Sequence, residues 1–179
     1  MTFSIWFPAA CLASLSACVA PSSSLPGDSL GKYSVVATLG TNTCGSGIDA
    51  TNPWKFTAEM SKDDSTLYFA NEDGSDEVSG GYDGTDETSA TLVSAVTKNV
   101  NDASANLGTT CNLTLTTTFA LTLGATSPPP TITGSASYAY SVATAISSNT
   151  DCTAQLSSAG GKYATLPCTV TYSLKATRQ

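Results

Sequence analysis

Residues 111–123 read Cys111-Asn112-Leu113-Thr114-Leu115-Thr116-Thr117-Thr118-Phe119-Ala120-Leu121-Thr122-Leu123. The odd positions carry Cys111, Leu113, Leu115, Thr117, Phe119, Leu121 and Leu123, while the even positions are polar apart from Ala120. Side chains of an extended backbone alternate between two faces, so this period of two specifies one long strand with one buried face.

The same device recurs on either side. Ile132, Gly134, Ala136, Tyr138, Tyr140 and Val142 alternate with Thr133, Ser135, Ser137 and Ser141, and Leu166, Cys168, Val170, Tyr172, Leu174 and Ala176 alternate with Thr169, Thr171, Ser173 and Lys175. Shorter strands are expected at 33–39, 54–60, 66–70 and 91–97, separated by breakers such as Gly40, Asn52-Pro53, Asp73-Gly74, Gly80-Gly81, Gly108, Pro128-Pro129-Pro130 and Gly160-Gly161. No stretch beyond residue 31 has a helical period. The fold class is therefore all-β, with seven or eight antiparallel strands forming an up-and-down β-barrel or a strongly coiled β-sandwich. Long strands twist, and closing the sheet removes unpaired edges, which favours the barrel. A barrel crossing an outer membrane is disfavoured, because the polar faces are Thr and Ser and flanking aromatic girdles are missing.

The amino-terminal stretch has a different character. Residues 3–17 contain no charged side chain but carry Phe3, Ile5, Trp6, Phe7, Leu12 and Leu15. They are too few to span a bilayer, for which about twenty residues are needed. They read instead as the apolar core of a signal peptide ending in small residues. The closing Leu15-Ser16-Ala17-Cys18 resembles the lipobox of bacterial lipoproteins. That resemblance implies removal of residues 1–17, lipidation of Cys18 and anchoring in the outer membrane, since Val19 is not the Asp of an inner-membrane retention signal. A Ser/Pro/Gly tether over 18–30 and a single β domain over 31–179 complete the expected organisation.

Six cysteines then become four in the domain: Cys44, Cys111, Cys152 and Cys168. An even count in an exported domain points to two disulfides. Pairing Cys152 with Cys168 closes a short loop and is favoured, leaving Cys44 with Cys111; crossed pairings also satisfy the count. Trp54-Lys55-Phe56, Leu67-Tyr68-Phe69 and Leu166-Pro167-Cys168-Thr169-Val170 resemble small disulfide-containing, β-rich lipoproteins of myxobacteria. No activity is implied by that resemblance.

Catalytic signatures are scarce. The chain has no histidine, so Ser-His-Asp and Cys-His constellations and histidine-based zinc sites do not arise. Acids gather between residues 72 and 87, and Asp73, Asp76, Glu77, Asp83 and Asp86 are the candidate calcium ligands, although the spacing of an EF-hand is absent. The plainer reading is a solvated, charged hairpin, so no cofactor is expected and calcium is the one ion this stretch would suit. A net charge of −7 disfavours nucleic acid as a partner. Trp54, Phe56, Tyr138 and Tyr140 are the candidate ligand-binding residues, able either to fill a core or to line a cup like that of lipocalin-like barrels. The expected function is a non-enzymatic, lipid-anchored envelope module whose partner is an envelope protein or glycan. A lipocalin-like carrier of a small apolar ligand is the alternative, and a carboxylate-based glycan hydrolase ranks third.

Overall fold

The computed structural model describes residues 25–72, 76–100, 111–143 and 150–179. Eight strands follow one another round a closed antiparallel barrel: β1 (Asp28–Asn42), β2 (Trp54–Asp63), β3 (Thr66–Asn71), β4 (Val78–Gly81), β5 (Ser89–Asn99), β6 (Asn112–Leu123), β7 (Thr131–Val142) and β8 (Cys168–Arg178). β8 pairs back onto β1 from Tyr33↔Arg178 to Asn42↔Val170, which closes the sheet. Two short 3-10 turns, Thr153–Gln155 and Ser157–Ala159, lie in the connection from β7 to β8.

The alternation read in residues 111–123 sets the wall. Leu113, Thr117, Phe119, Leu121 and Leu123 of β6 are buried in the interior, and the intervening threonines face outward. Side chains of neighbouring strands meet in levels, because register fixes which inward residues lie side by side. One level joins Leu123, Ile132 and Ala176, and another, further along, joins Ser94, Thr117, Tyr138 and Val170.

The two ends of the barrel differ. At one, Leu30, Met60, Leu67, Leu92, Leu121 and Ile132 are buried together, each stabilising the fold by about 1.5–3 kcal/mol. Tyr33 is wholly buried there and donates its hydroxyl to the Pro129 carbonyl at 2.9 Å, so the 124–130 loop lies across this closed end. The other end, the mouth, is where β1, β3, β5 and β7 finish and β2, β4, β6 and β8 begin. Outside, the wall presents Thr, Ser and Lys. Among the described residues only Val36, Val93 and Val96 are exposed large apolar side chains, and Val96 faces the mouth interior.

Three expectations need correction. The tether does not reach residue 30: β1 begins at Asp28, Leu30 is buried, and the Pro26 carbonyl accepts the Ser61 hydroxyl. β4 pairs antiparallel with β3, so the acidic stretch does lie in a hairpin, but the strand runs through a position expected to break it. Gly80, read as a breaker, is inside it because a Cβ there would sit 2.0 Å from the Thr91 carbonyl oxygen of β5. Finally, the four cysteines do form two disulfides, but as Cys44–Cys168 and Cys111–Cys152. Barrel closure is the reason: Cys44 follows β1 and Cys168 opens β8, strands that are neighbours across the seam, where the Thr43 amide donates to the Thr169 carbonyl at 2.9 Å. The signal stretch, Cys18 and Asp73 lie outside the described residues.

Candidate binding site

The mouth is not filled as the closed end is. β4 is only four residues long, and its ladder to β5 within the named strands is Ser79↔Val93. β5 nonetheless continues to Asn99, paired on its other side with β6 as far as Asn99↔Asn112. Beyond Val93 the described residues place no strand beside that flank, and a cavity of about 600 Å³ opens there. Val78, Val96, Val100, Leu113 and Leu115 supply its apolar lining, with Asp76, Glu77 and Lys98 at its polar margin. Its volume is in the range of small-molecule sites.

A second cavity, of about 190 Å³, lies against the β7–β8 side of the mouth, and Tyr140 lines both. Trp54, at the start of β2, stands 6.4 Å from Tyr138 and 5.9 Å from Tyr172, ring centre to ring centre, and those two tyrosines are 6.2 Å apart. The ring planes are inclined by 56°, 59° and 89°, so the rings meet like walls of a corner. Asp49 is the one charged residue in this lining. Phe56, 4.3 Å from Trp54, packs behind it and lines neither cavity.

Tyr138 is the most informative of these side chains. It is 9 % exposed, and among the described residues its hydroxyl has no hydrogen-bond partner. A buried hydroxyl without a partner costs about 1–3 kcal/mol. Burial pushes its phenol far above the ordinary range, with the Asp76 carboxylate adding to the effect. Burial likewise raises Tyr140, Tyr163 and Tyr172, Asp76 contributing at Tyr140 and Asp49 at Tyr172. The mouth is thus electronegative on the aromatic side.

The acidic stretch does not form one site. Asp76 and Glu77 precede β4 at the mouth and Asp83 and Asp86 follow it at the closed end, so these candidate calcium ligands fall at opposite ends of the barrel. The closed-end acids are engaged locally: Asp83 accepts the Thr91 hydroxyl at 3.2 Å and Asp86 the Thr88 hydroxyl at 2.9 Å. The Thr88 hydroxyl and amide hold the Asp86 carboxyl below its usual range. No group of three potential metal ligands occurs among the described residues.

Trp54, Tyr138 and Tyr140, which the sequence left open between filling a core and lining a cup, border the cavities, whereas Asp49, Ser94, Thr117 and Tyr163 drew no such reading. Thr117 and Ser94 do leave a trace, being polar residues on otherwise apolar faces, and they are cross-strand partners at the level of Tyr138. Asp49 and Tyr163 reach the mouth on long connections that carry no period. No protein-family model, curated protein or solved structure matches the chain.

Proposed function

We propose that the domain is a non-enzymatic envelope protein, tethered through a lipid on Cys18, whose barrel mouth holds a small, largely apolar ligand. The observation that carries this reading is the contrast between the two ends, one packed and capped, the other leaving a largely apolar cavity that adjoins, through Tyr140, a smaller one lined by Trp54, Tyr138 and Tyr172. An eight-stranded barrel is just wide enough either to fill with side chains or to hold one small ligand. Among the described residues the outer wall exposes Val36, paired with Lys55 and Lys175, and Val93, paired with Ser79 and Thr118, as its large apolar side chains. Docking of a protein partner on that wall therefore has less support than binding inside. Hydrolysis of a glycan needs two carboxylates facing each other across a cleft, whereas Asp76 and Glu77 of the larger cavity are adjacent on one loop.

Native mass spectrometry of the protein taken from membranes tests the proposal. A co-purifying small molecule and an acyl mass on Cys18 are the expected result. A ligand-free barrel that also fails to take up an apolar fluorescent probe would overturn the binding reading, and an unmodified Cys18 would overturn the anchor.

A further inference from the structure

We propose that the smaller cavity holds the ammonium head of an organic cation, walled by Trp54, Tyr138 and Tyr172 and closed by the carboxylate of Asp49. This inference deepens the ligand-binding reading and rests on it. Aromatic faces carry the negative part of the ring quadrupole, and a cation within about 6 Å of several ring centres is attracted to all of them, Trp most strongly. The three rings all line this cavity and stand at 5.9–6.4 Å from one another, mutually inclined.

Charge selects in the same direction. Asp49 contributes a negative charge, and no Lys or Arg lines this cavity, which gives an anionic head nothing to pair with. The adjoining cavity carries Asp76 and Glu77 against the single cation Lys98, a lining that is negative on balance. A sugar is less well served, because it stacks flat on an aromatic platform and these rings form a corner. The volume of about 190 Å³ suits a head group and not a whole ligand. Tyr140 lines both cavities, so a tail leaving the head meets the apolar lining of Val96, Leu113 and Leu115.

Calorimetric titration of the full chain with hexyltrimethylammonium, with its neutral carbon isostere and with methyl glucoside tests this. The ammonium compound is expected to bind, the isostere about tenfold more weakly, and the glucoside not at all. Asp49→Asn, an exposed position, should weaken the ammonium compound by about threefold and leave the isostere unchanged. Equal binding of the isostere, or binding of the isostere or the glucoside alone, overturns the cation assignment and leaves the barrel as a binding site for a neutral ligand. Failure of all three overturns both readings. An Asp49→Asn variant that weakens both hexyl compounds alike removes Asp49 from the recognition.

Discussion

Cys44, just beyond β1, is bonded to Cys168, the first residue of β8, so this disulfide bridges the seam at which the first and last strands of the barrel meet. The bridge spans 124 residues and the Cys111–Cys152 bridge spans 41. In the chain-entropy account these loops correspond to about 5 and about 4 kcal/mol respectively. Non-reducing peptide mapping should recover the 44–168 and 111–152 pairs. A recovered 152–168 pair would contradict the closure. Alanine replacement of both seam cysteines should lower the urea midpoint at least as far as replacement of the other pair.

Gly80 and Gly81 are neighbours with opposite tolerances. A Cβ at Gly80 would lie 2.0 Å from the Thr91 carbonyl oxygen, whereas the nearest atom to one at Gly81 is 4.0 Å away. Gly80→Ala is therefore expected to cost about 2–4 kcal/mol by pushing β4 off β5, and Gly81→Ala to stay within about 0.5 kcal/mol of the parent. Similar unfolding midpoints for the two variants would mean that β4 does not pack against β5 at this point.

These two features also show where the sequence was readable. β6, β7 and β8 declare themselves because each keeps one apolar face over many residues, and in a closed barrel that face has a single destination. β4 does not, since four residues containing Gly80 and Gly81 show no alternation. Its position matters twice, because it sends Asp76 and Asp83 to opposite ends and because its shortness opens the cavity beside Ser94 and Val96. Disulfide partners were illegible for a related reason: Cys44 and Cys168 are distant in sequence and become neighbours only when β1 meets β8. Of the candidate site, the aromatic residues were visible as interior positions, but whether they filled the core or bordered space depends on three-dimensional volume.

Alkaline pH should destabilise the barrel. Burial raises the phenols of Tyr138, Tyr140, Tyr163, Tyr172 and Tyr33 above the value of about 10 at which they ionise in the unfolded chain. Each raised group contributes its full stability below about pH 10, and that stability is lost as pH climbs, because the unfolded chain releases protons that the fold retains. Lys32, raised chiefly by its hydrogen bond to Glu72 at 2.6 Å and then by Glu59, loses its contribution in the same alkaline direction. Urea midpoints should be level between about pH 7 and about pH 9 and fall above about pH 10. Tyr138→Phe should flatten that fall. A midpoint that rises through this window would contradict the burial of these rings.

Tyr138→Phe separates stability from binding at a single atom. The hydroxyl is buried without a partner among the described residues, so deleting it removes a desolvated polar group while leaving the ring between Trp54, Phe119 and Tyr172 in place. The ligand-free variant is expected to be more stable by about 1 kcal/mol, read as a higher urea midpoint at unchanged slope. A core tyrosine with a satisfied hydroxyl would show the opposite sign. If the hydroxyl serves a ligand, the same variant should lose affinity for the molecule that co-purifies with the parent, since the replacement keeps the apolar wall and deletes only the hydrogen bond. A gain in stability with unaltered affinity would assign Tyr138 to the wall alone; a loss in stability would show that its hydroxyl is already paired within the fold.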